Sequence, residues 1–524
     1  MVKTGESTGR HAFLVASGIL ISRIVGLVRQ RVFSHYFGQL DEADAFYAAF
    51  RIPNLLQNLF GEGVLSASFI PVYARLLAEG DEEESGRVAG AVGAILALAT
   101  SVIVLAGVLL TPYLIWIIAP WFEGAKRELT IRLVRILFPG AGLFVFSAWS
   151  LGILNSHRKF FLSYIAPVIW NAAMIATMIA FRRQNLTTLA VYLAWGSVVG
   201  SALQFFVQLP TVLRLTRKLR LSLDIAAANV REVLRNFAPV FVSRGVVQIS
   251  AYVDLLIASK LGEGAVAALT NAQSIYTLPV SLFGMAVSAA ELPAMSSTLG
   301  TNTEIAARLR QRLNAGLRQI AFFIVPSAMA FFALGDVVAA ALYQTGKFTH
   351  DNSVYVWGII AGSAVGLLAS TLGRLYASTY YALRDTRTPL RYASLRVALT
   401  VGLGYVCALP LPRWLGIDPH WGAAGLTASA GVAGWVEFTL LRRTLNARIG
   451  ATGVPAALIA RLWGAAAVGA AAAWGIKFGV GVVHPITAAI LILVPYGLIY
   501  FAATYLLRVE ECGALFARLG RLRR

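Results

Sequence analysis

Cysteine is almost absent: Cys407 and Cys512 are the only two in 524 residues. Two distant thiols cannot build a disulfide framework or a cysteine-bound metal centre. Charge is scarce as well, at 13% of residues, about half of what a soluble domain carries. The six histidines are scattered, with none of the His/Glu spacing that zinc sites use. A phosphate-cradling P-loop and a Gly-x-Ser-x-Gly elbow are missing too. These absences argue against an enzyme, and no cofactor is expected.

What the chain has in excess is apolar sequence, 58% of residues. A spanning helix needs about 20 predominantly apolar residues. Uncharged stretches of that size recur at 88–122, 136–156, 160–181, 184–213, 264–290 and 352–373. We place fourteen spans, at roughly 11–35, 43–70, 88–118, 131–156, 160–181, 187–213, 233–259, 265–292, 316–334, 353–376, 392–410, 420–441, 456–476 and 486–507. The expected fold is therefore an all-α polytopic membrane protein. Lys3 and Arg10 precede an apolar run that meets Arg23 without a clear small-residue cleavage site, so the first helix reads as retained.

The net charge of +20 would suit a nucleic-acid binder if it lay on one face. Instead Lys and Arg sit in short clusters between apolar stretches, which excludes nucleic acid as the partner. They concentrate on alternate loops, as in Arg214, Arg217, Lys218, Arg220, Arg231 and Arg235 between spans six and seven. Cytoplasmic loops are the basic ones, so both termini are expected in the cytoplasm.

A faint repeat runs through the chain. Ser22-Arg23 recurs as Ser243-Arg244, Phe37-Gly38 as Leu261-Gly262, Phe60-Gly61 as Phe283-Gly284, and Ile70-Pro71 as Leu292-Pro293. The order is kept, which points to a duplicated six-span unit. The implied organisation is an N-lobe over 1–222, a pseudo-symmetric C-lobe over 223–450, and a C-terminal helix pair with a basic tail over 451–524.

A charge near the bilayer centre costs at least ~2.5–3.5 kcal/mol, yet span one carries Arg23, Arg29 and Arg31. Span two carries Asp44, Arg51 and Glu62, with Gln57 and Asn58 between them. On one continuous helix Asp44, Arg51, Asn58 and Glu62 would share a face turned to a wet cavity, although Pro53 interrupts the run. Two readings stand side by side: snorkelling or helix-locking ion pairs, and a guanidinium site for a phosphate-bearing anion. In span seven Arg244 and Asp254 allow a mutual ion pair, or a coupling site for Na+ or H+ at Asp254. Asp385 lies in a basic turn, where a capping role competes with a cation-coupling one.

These segments resemble a known family. Ser22-Arg23-Ile24-Val25-Gly26-Leu27-Val28-Arg29, Ala43-Asp44-Ala45-Phe46, Phe50-Arg51-Ile52-Pro53-Asn54-Leu55-Leu56, Gly61-Glu62-Gly63 and Ser66-Ala67-Ser68-Phe69-Ile70-Pro71 are similar to the N-terminal signature of MurJ/MviN proteins. Tyr381-Ala382-Leu383-Arg384-Asp385-Thr386-Arg387-Thr388-Pro389 fits as well. The resemblance implies a lipid II flippase of the multidrug/oligosaccharidyl-lipid/polysaccharide exporter superfamily, working by alternating access in the bacterial cytoplasmic (inner) membrane. It assigns Arg23, Arg29, Arg51, Asp44 and Glu62 to the substrate cavity and Asp254 to sodium. Membrane lipids and cell-wall synthesis proteins are the further partners it suggests.

Two departures accompany the likeness. Gln57-Asn58 stands where the family commonly has a basic pair, and Ala272-Gln273-Ser274 with Thr277 replaces a charged pattern in span eight. Asn58, Gln57, Arg244 and Gln273 are accordingly secondary cavity candidates. Export of another lipid-linked oligosaccharide or amphiphile, and a non-transporting scaffold for cell-wall synthesis, remain the alternatives.

Overall fold

A backbone in lipid must satisfy its own hydrogen bonds, so an apolar chain of this kind has to be helical. The computed structural model describes residues 4–216, 218–296, 301–481 and 483–513, and among them helices, turns and connecting segments account for the chain without a strand. Contacts divide it into two compact units, Met1–Val266 with Thr345–Lys347, and Ala267–Gln344 with Phe348–Arg524.

The first unit holds α1 (Thr4–Phe37), α2 (Asp41–Phe60), α3 (Glu62–Ala78), α4 (Glu82–Leu109), α5 (Thr111–Ile118), α6 (Gly124–Ser156), α7 (Phe160–Ala180), α8 (Leu186–Leu215) and α9 (Ala228–Ala258). Local chemistry sets several starts. Asp81 accepts the Glu84 amide at 2.9 Å, and Glu82, Glu83 and Glu84 occupy the first turn of α4, where the helix dipole favours anions. Small residues then let helices approach closely. A Cβ added at Gly18 of α1 would fall 2.8 Å from Cβ of Tyr164 on α7, and one at Gly200 of α8 would fall 2.9 Å from the Trp170 ring. Leu65, Phe69, Tyr73, Val88, Val145 and Ile153 form the buried centre of α3, α4 and α6.

The second expected span is two helices rather than one. The helix runs on through Pro53 and stops at Gly61 (φ −85°, ψ −157°). A Cβ at position 61 would lie 2.0 Å from the Gln57 carbonyl oxygen, so this break needs glycine. Asp44 and Arg51 share α2, whereas Glu62 opens α3, and the single polar stripe joining all three does not form.

The second unit contains α10 (Ala265–Pro279), which continues through a π-helical stretch, Val280–Met285, into α11 (Ala286–Ser296). It goes on with α12 (Asn302–Tyr343), α13 (His350–Ala382), α14 (Arg387–Ala408), α15 (Pro410–Trp414), α16 (Gly422–Ile449), α17 (Ala456–Gly479) and α18 (Pro485–Leu506). Gly358, Gly362 and Gly366 recur every fourth residue on α13, and a Cβ at Gly366 would come within 2.3 Å of Gly431 Cα on α16. In the glycine-rich stretch 464–475, whose small residues suit close helix packing, Gly469 meets the Tyr496 carbonyl and ring of α18, while Gly464 and Gly475 have nothing within 4 Å.

Helix α12 is 42 residues long and bends, with Pro326 in its interior and non-helical angles at Leu334 (φ −131°, ψ 17°). Pro326 leaves the Phe322 carbonyl without its helical donor, and side chains of other helices add hydrogen bonds around the bend. Tyr500 Oη donates to the Phe322 carbonyl at 2.6 Å, and Tyr496 Oη to the Pro326 carbonyl at 2.6 Å. At the kink Trp357 Nε1 donates to Phe332 O and Trp474 Nε1 to Ala333 O, each at 2.9 Å. Lys477 of α17 meets Asp336 at 2.6 Å. Beyond α18 the chain turns back at Arg508 (φ 51°), burying Val509 and Cys512 while Glu510 and Glu511 pair with Arg318 at 2.7 and 2.5 Å.

Among the described residues eleven helices are long and apolar enough to cross a membrane. The three other expected spans are also helical, as α1, α2 with α3, and α9; they carry Arg23, Arg29, Arg51 and Asp254.

Candidate functional site

The charged residues of α1 and α2 are positioned by aromatic and polar groups within the first unit. Arg29 lies with Cζ 4.7 Å from the Trp170 ring centroid, and its Nη1 is 3.7 Å from the Met174 sulfur, both on α7. A guanidinium over an indole face is attracted by the ring quadrupole, which holds Arg29 against α7. The indole is itself fixed: Nε1 donates to Ser197 at 3.1 Å, Phe50 of α2 stacks on it at 5.8 Å and Phe144 meets it edge-on at 5.4 Å. Trp170 thus links Arg29 to the helix that bears Arg51. A cleft lined by Phe50, Pro53, Asn54, Gln57, Phe144 and Ser197 opens alongside.

Arg51 is half-buried. Tyr252 Oη of α9 donates to its backbone carbonyl at 2.9 Å, and Asp254, one half-turn further on α9, acts electrostatically on its guanidinium. Sequence spacing offers Arg244 as a partner of Asp254, a pairing that lies outside the described side chains; the structure also brings Asp254 to act on Arg51. Both Arg244 and Glu62 have side chains outside the described residues.

Asp44 is fully buried rather than turned to open space. Its Oδ2 accepts Lys126 Nζ at 2.7 Å and the Gly264 amide at 2.8 Å, and Gly264 holds the left-handed φ of +79° that this approach requires. Lys126 also meets Asp41 at 2.7 Å and lies over Phe122 at 4.4 Å. A buried carboxylate needs a counter-charge and amide donors, and this cluster supplies both, tying α2, α6 and the turn before α10.

The remaining candidates scatter. Arg23 is exposed on α1, Arg31 and Asn58 are half-buried, and Gln273 is exposed on α10. Asp385 is a turn-former: Oδ1 accepts the amides of Arg387 and Thr388 at 3.0 Å, and Oδ2 accepts Thr388 Oγ1 and Arg448 Nη1 at 2.7 Å. The Thr388 donors, followed by Arg448, hold its carboxyl well below the usual range. Among the described residues no group of three or more His, Cys, Asp or Glu could hold a metal ion. Sequence reasoning missed Trp170, Met174 and Lys126. An aromatic residue mid-span has no signal that separates a platform from core, and Lys126 reads as an ordinary loop cation.

A multi-span helical protein with guanidinium groups set on its membrane segments has the build of a transporter of the multidrug and lipid-flippase fold. Its structure is similar to that of a lipid II flippase MurJ in an inward closed conformation, with a TM-score of 0.78 at 22% identity over 95% of this chain and 99% of that one. The family described as "Lipid II flippase MurJ" matches residues 33–481. A probable lipid II flippase MurJ of Rhizobium tropici is 33% identical over 83% of this chain and 80% of its own length. The lipid II flippase MurJ of Burkholderia cenocepacia is 31% identical over 84% of both. The chain belongs to the lipid II flippase MurJ family.

Proposed function

We propose that this chain carries lipid II, the undecaprenyl-pyrophosphate-linked disaccharide-pentapeptide, from the cytoplasmic to the periplasmic leaflet of the bacterial inner membrane by alternating access, with both termini in the cytoplasm. Family membership supports the cargo. The observation that carries the site is Arg29, an always-charged fork held over Trp170 with its edge donors suited to two-point phosphate contacts. Arg23 and Arg51 supply further guanidinium groups, and the lipid tail stays in the bilayer. Asp254, beside Arg51, is the candidate for a coupling Na+ or H+. One positive charge crossing the membrane contributes about 2.3 kcal/mol per 100 mV, enough to bias the return step.

A lipid II flippase-depleted bacterium supplied with this chain tests the reading, with translocation scored by a leaflet-specific probe. The wild-type chain is expected to restore growth and outer-leaflet lipid II, and Arg29→Ala to fail at normal expression. Full rescue by Arg29→Ala would overturn the pyrophosphate role. Gln57-Asn58, in place of a basic pair, favours a second reading in which another lipid-linked oligosaccharide is the cargo. That reading holds if transport appears only with the other glycan.

A further inference from the structure

A second intramembrane charge pair lies far from the arginines of α1 and α2 in the chain. Arg396 of α14 donates through Nη1 to Glu437 Oε2 of α16 at 3.0 Å. Two ends of these antiparallel helices fix its depth. At the cytoplasmic turn Asp385 is bound to Arg448. Arg396 lies nine positions into α14 from Arg387, about 14 Å along the axis. Glu437 lies eleven positions before Arg448 on α16, about 16 Å along it. The pair is therefore level on both helices, about 6 Å inside the ends of the spans placed at 392–410 and 420–441.

The two partners are unequal. The Glu437 side chain is 14% exposed and that of Arg396 41%. Among the described residues Glu437 is the only polar partner of Arg396, which leaves most of the guanidinium's five N–H donors open. Tyr381 at the end of α13, itself exposed, is within electrostatic reach of Glu437. At this depth a guanidinium that is 41% exposed can extend toward the headgroup layer, where lipid phosphates lie.

We propose that Arg396 is a lipid-phosphate-binding residue in the second unit, with Glu437 as the resident carboxylate that neutralises it between binding events. An incoming phosphate or pyrophosphate headgroup takes the open donors of Arg396 and weakens its bond to Glu437. The proposal depends on the transport reading only for its choice of probe.

The test uses the full chain in nanodiscs and measures binding of undecaprenyl pyrophosphate, with undecaprenol and phosphatidylglycerol as separate probes. Arg396→Gln should weaken phosphate-lipid binding about tenfold or more, the loss of one charge-assisted contact. Glu437→Gln should leave it equal or several-fold tighter. The reversed pair, Arg396→Glu with Glu437→Arg, should melt like the wild type yet bind as weakly as Arg396→Gln. A reversed pair that binds like the wild type, or an Arg396→Gln chain that loses only thermal stability, overturns the proposal. Arg396-dependent binding of phosphatidylglycerol alone assigns the residue to a membrane lipid rather than to cargo. A wild-type chain that binds neither phosphate-bearing lipid overturns the proposal, whereas one that binds phosphatidylglycerol but not undecaprenyl pyrophosphate speaks against the flippase reading alone.

Discussion

The bend of α12 offers a quantitative test of how this fold satisfies its backbone. Pro326 has no N–H, so the Phe322 carbonyl four residues earlier loses its helical donor; Tyr500 Oη takes that place at 2.6 Å. Tyr500 is fully buried, and no water can substitute for it. Tyr500→Phe therefore removes one interhelical hydrogen bond and strands a carbonyl in apolar surroundings. Interhelical bonds in membranes average about 0.6 kcal/mol and reach about 1.7, and a stranded polar group costs about 1–3. We expect a loss of about 1–2 kcal/mol. In a Pro326→Ala background the amide at 326 is restored and can donate to Phe322 itself, so the same substitution should cost less than about 0.5 kcal/mol. Reversible unfolding of the four proteins in bicelles of fixed composition gives the cycle, with an expected coupling of about 1 kcal/mol. Equal cost of Tyr500→Phe in both backgrounds would show that the hydroxyl does not replace the missing amide.

Other substitutions test separate elements. Lys126→Met leaves the Asp44 carboxylate buried without its cation and should destabilise by about 3–5 kcal/mol; combined with Asp44→Asn it should cost much less than the sum, as thermal unfolding can show. Gly366→Val drives a side chain into Gly431 and should abolish a monodisperse peak in size-exclusion chromatography, whereas Gly464→Ala, with open space around it, should be silent. Asp385 has a depressed carboxyl pKa in the folded chain, so its contribution is complete above the unfolded value of about 3.9 and is lost as pH falls below it. The melting-temperature gap between wild type and Asp385→Asn should be the same at pH 7 and pH 5 and close at more acid pH; a gap that already shrinks between 7 and 5 contradicts the cap.

The span pattern was legible because apolar length and loop charge are both local properties, and the helices at α4, α6, α8 and α13 follow from them. Breaks were harder to read. Pro53 looked like the interruption in span two, but a proline is accommodated within a helix whose neighbours hold it, and the stop came at Gly61, where a Cβ would strike the Gln57 carbonyl. Partnerships between distant residues were not legible at all. Asp254 acts on Arg51 of α2, and Asp44 is sealed by Lys126 and Gly264, because helix periodicity tells which face a residue occupies but not which helix covers it. Arg29 was visible as a charge out of place; that it rests on Trp170 required the packing of α1 on α7.

The bend in α12 also has a consequence for biogenesis. Tyr500 follows Phe322 by 178 residues and Tyr496 follows Pro326 by 170, so the ribosome releases the bent helix long before its hydroxyl partners. Until α18 inserts, the Phe322 carbonyl waits in lipid with no donor, and Arg318 waits for Glu510 and Glu511. A nascent chain stalled before α18 is thus an incomplete membrane segment displaying raw polar backbone, the kind of flaw that insertion chaperones shelter and intramembrane proteases remove.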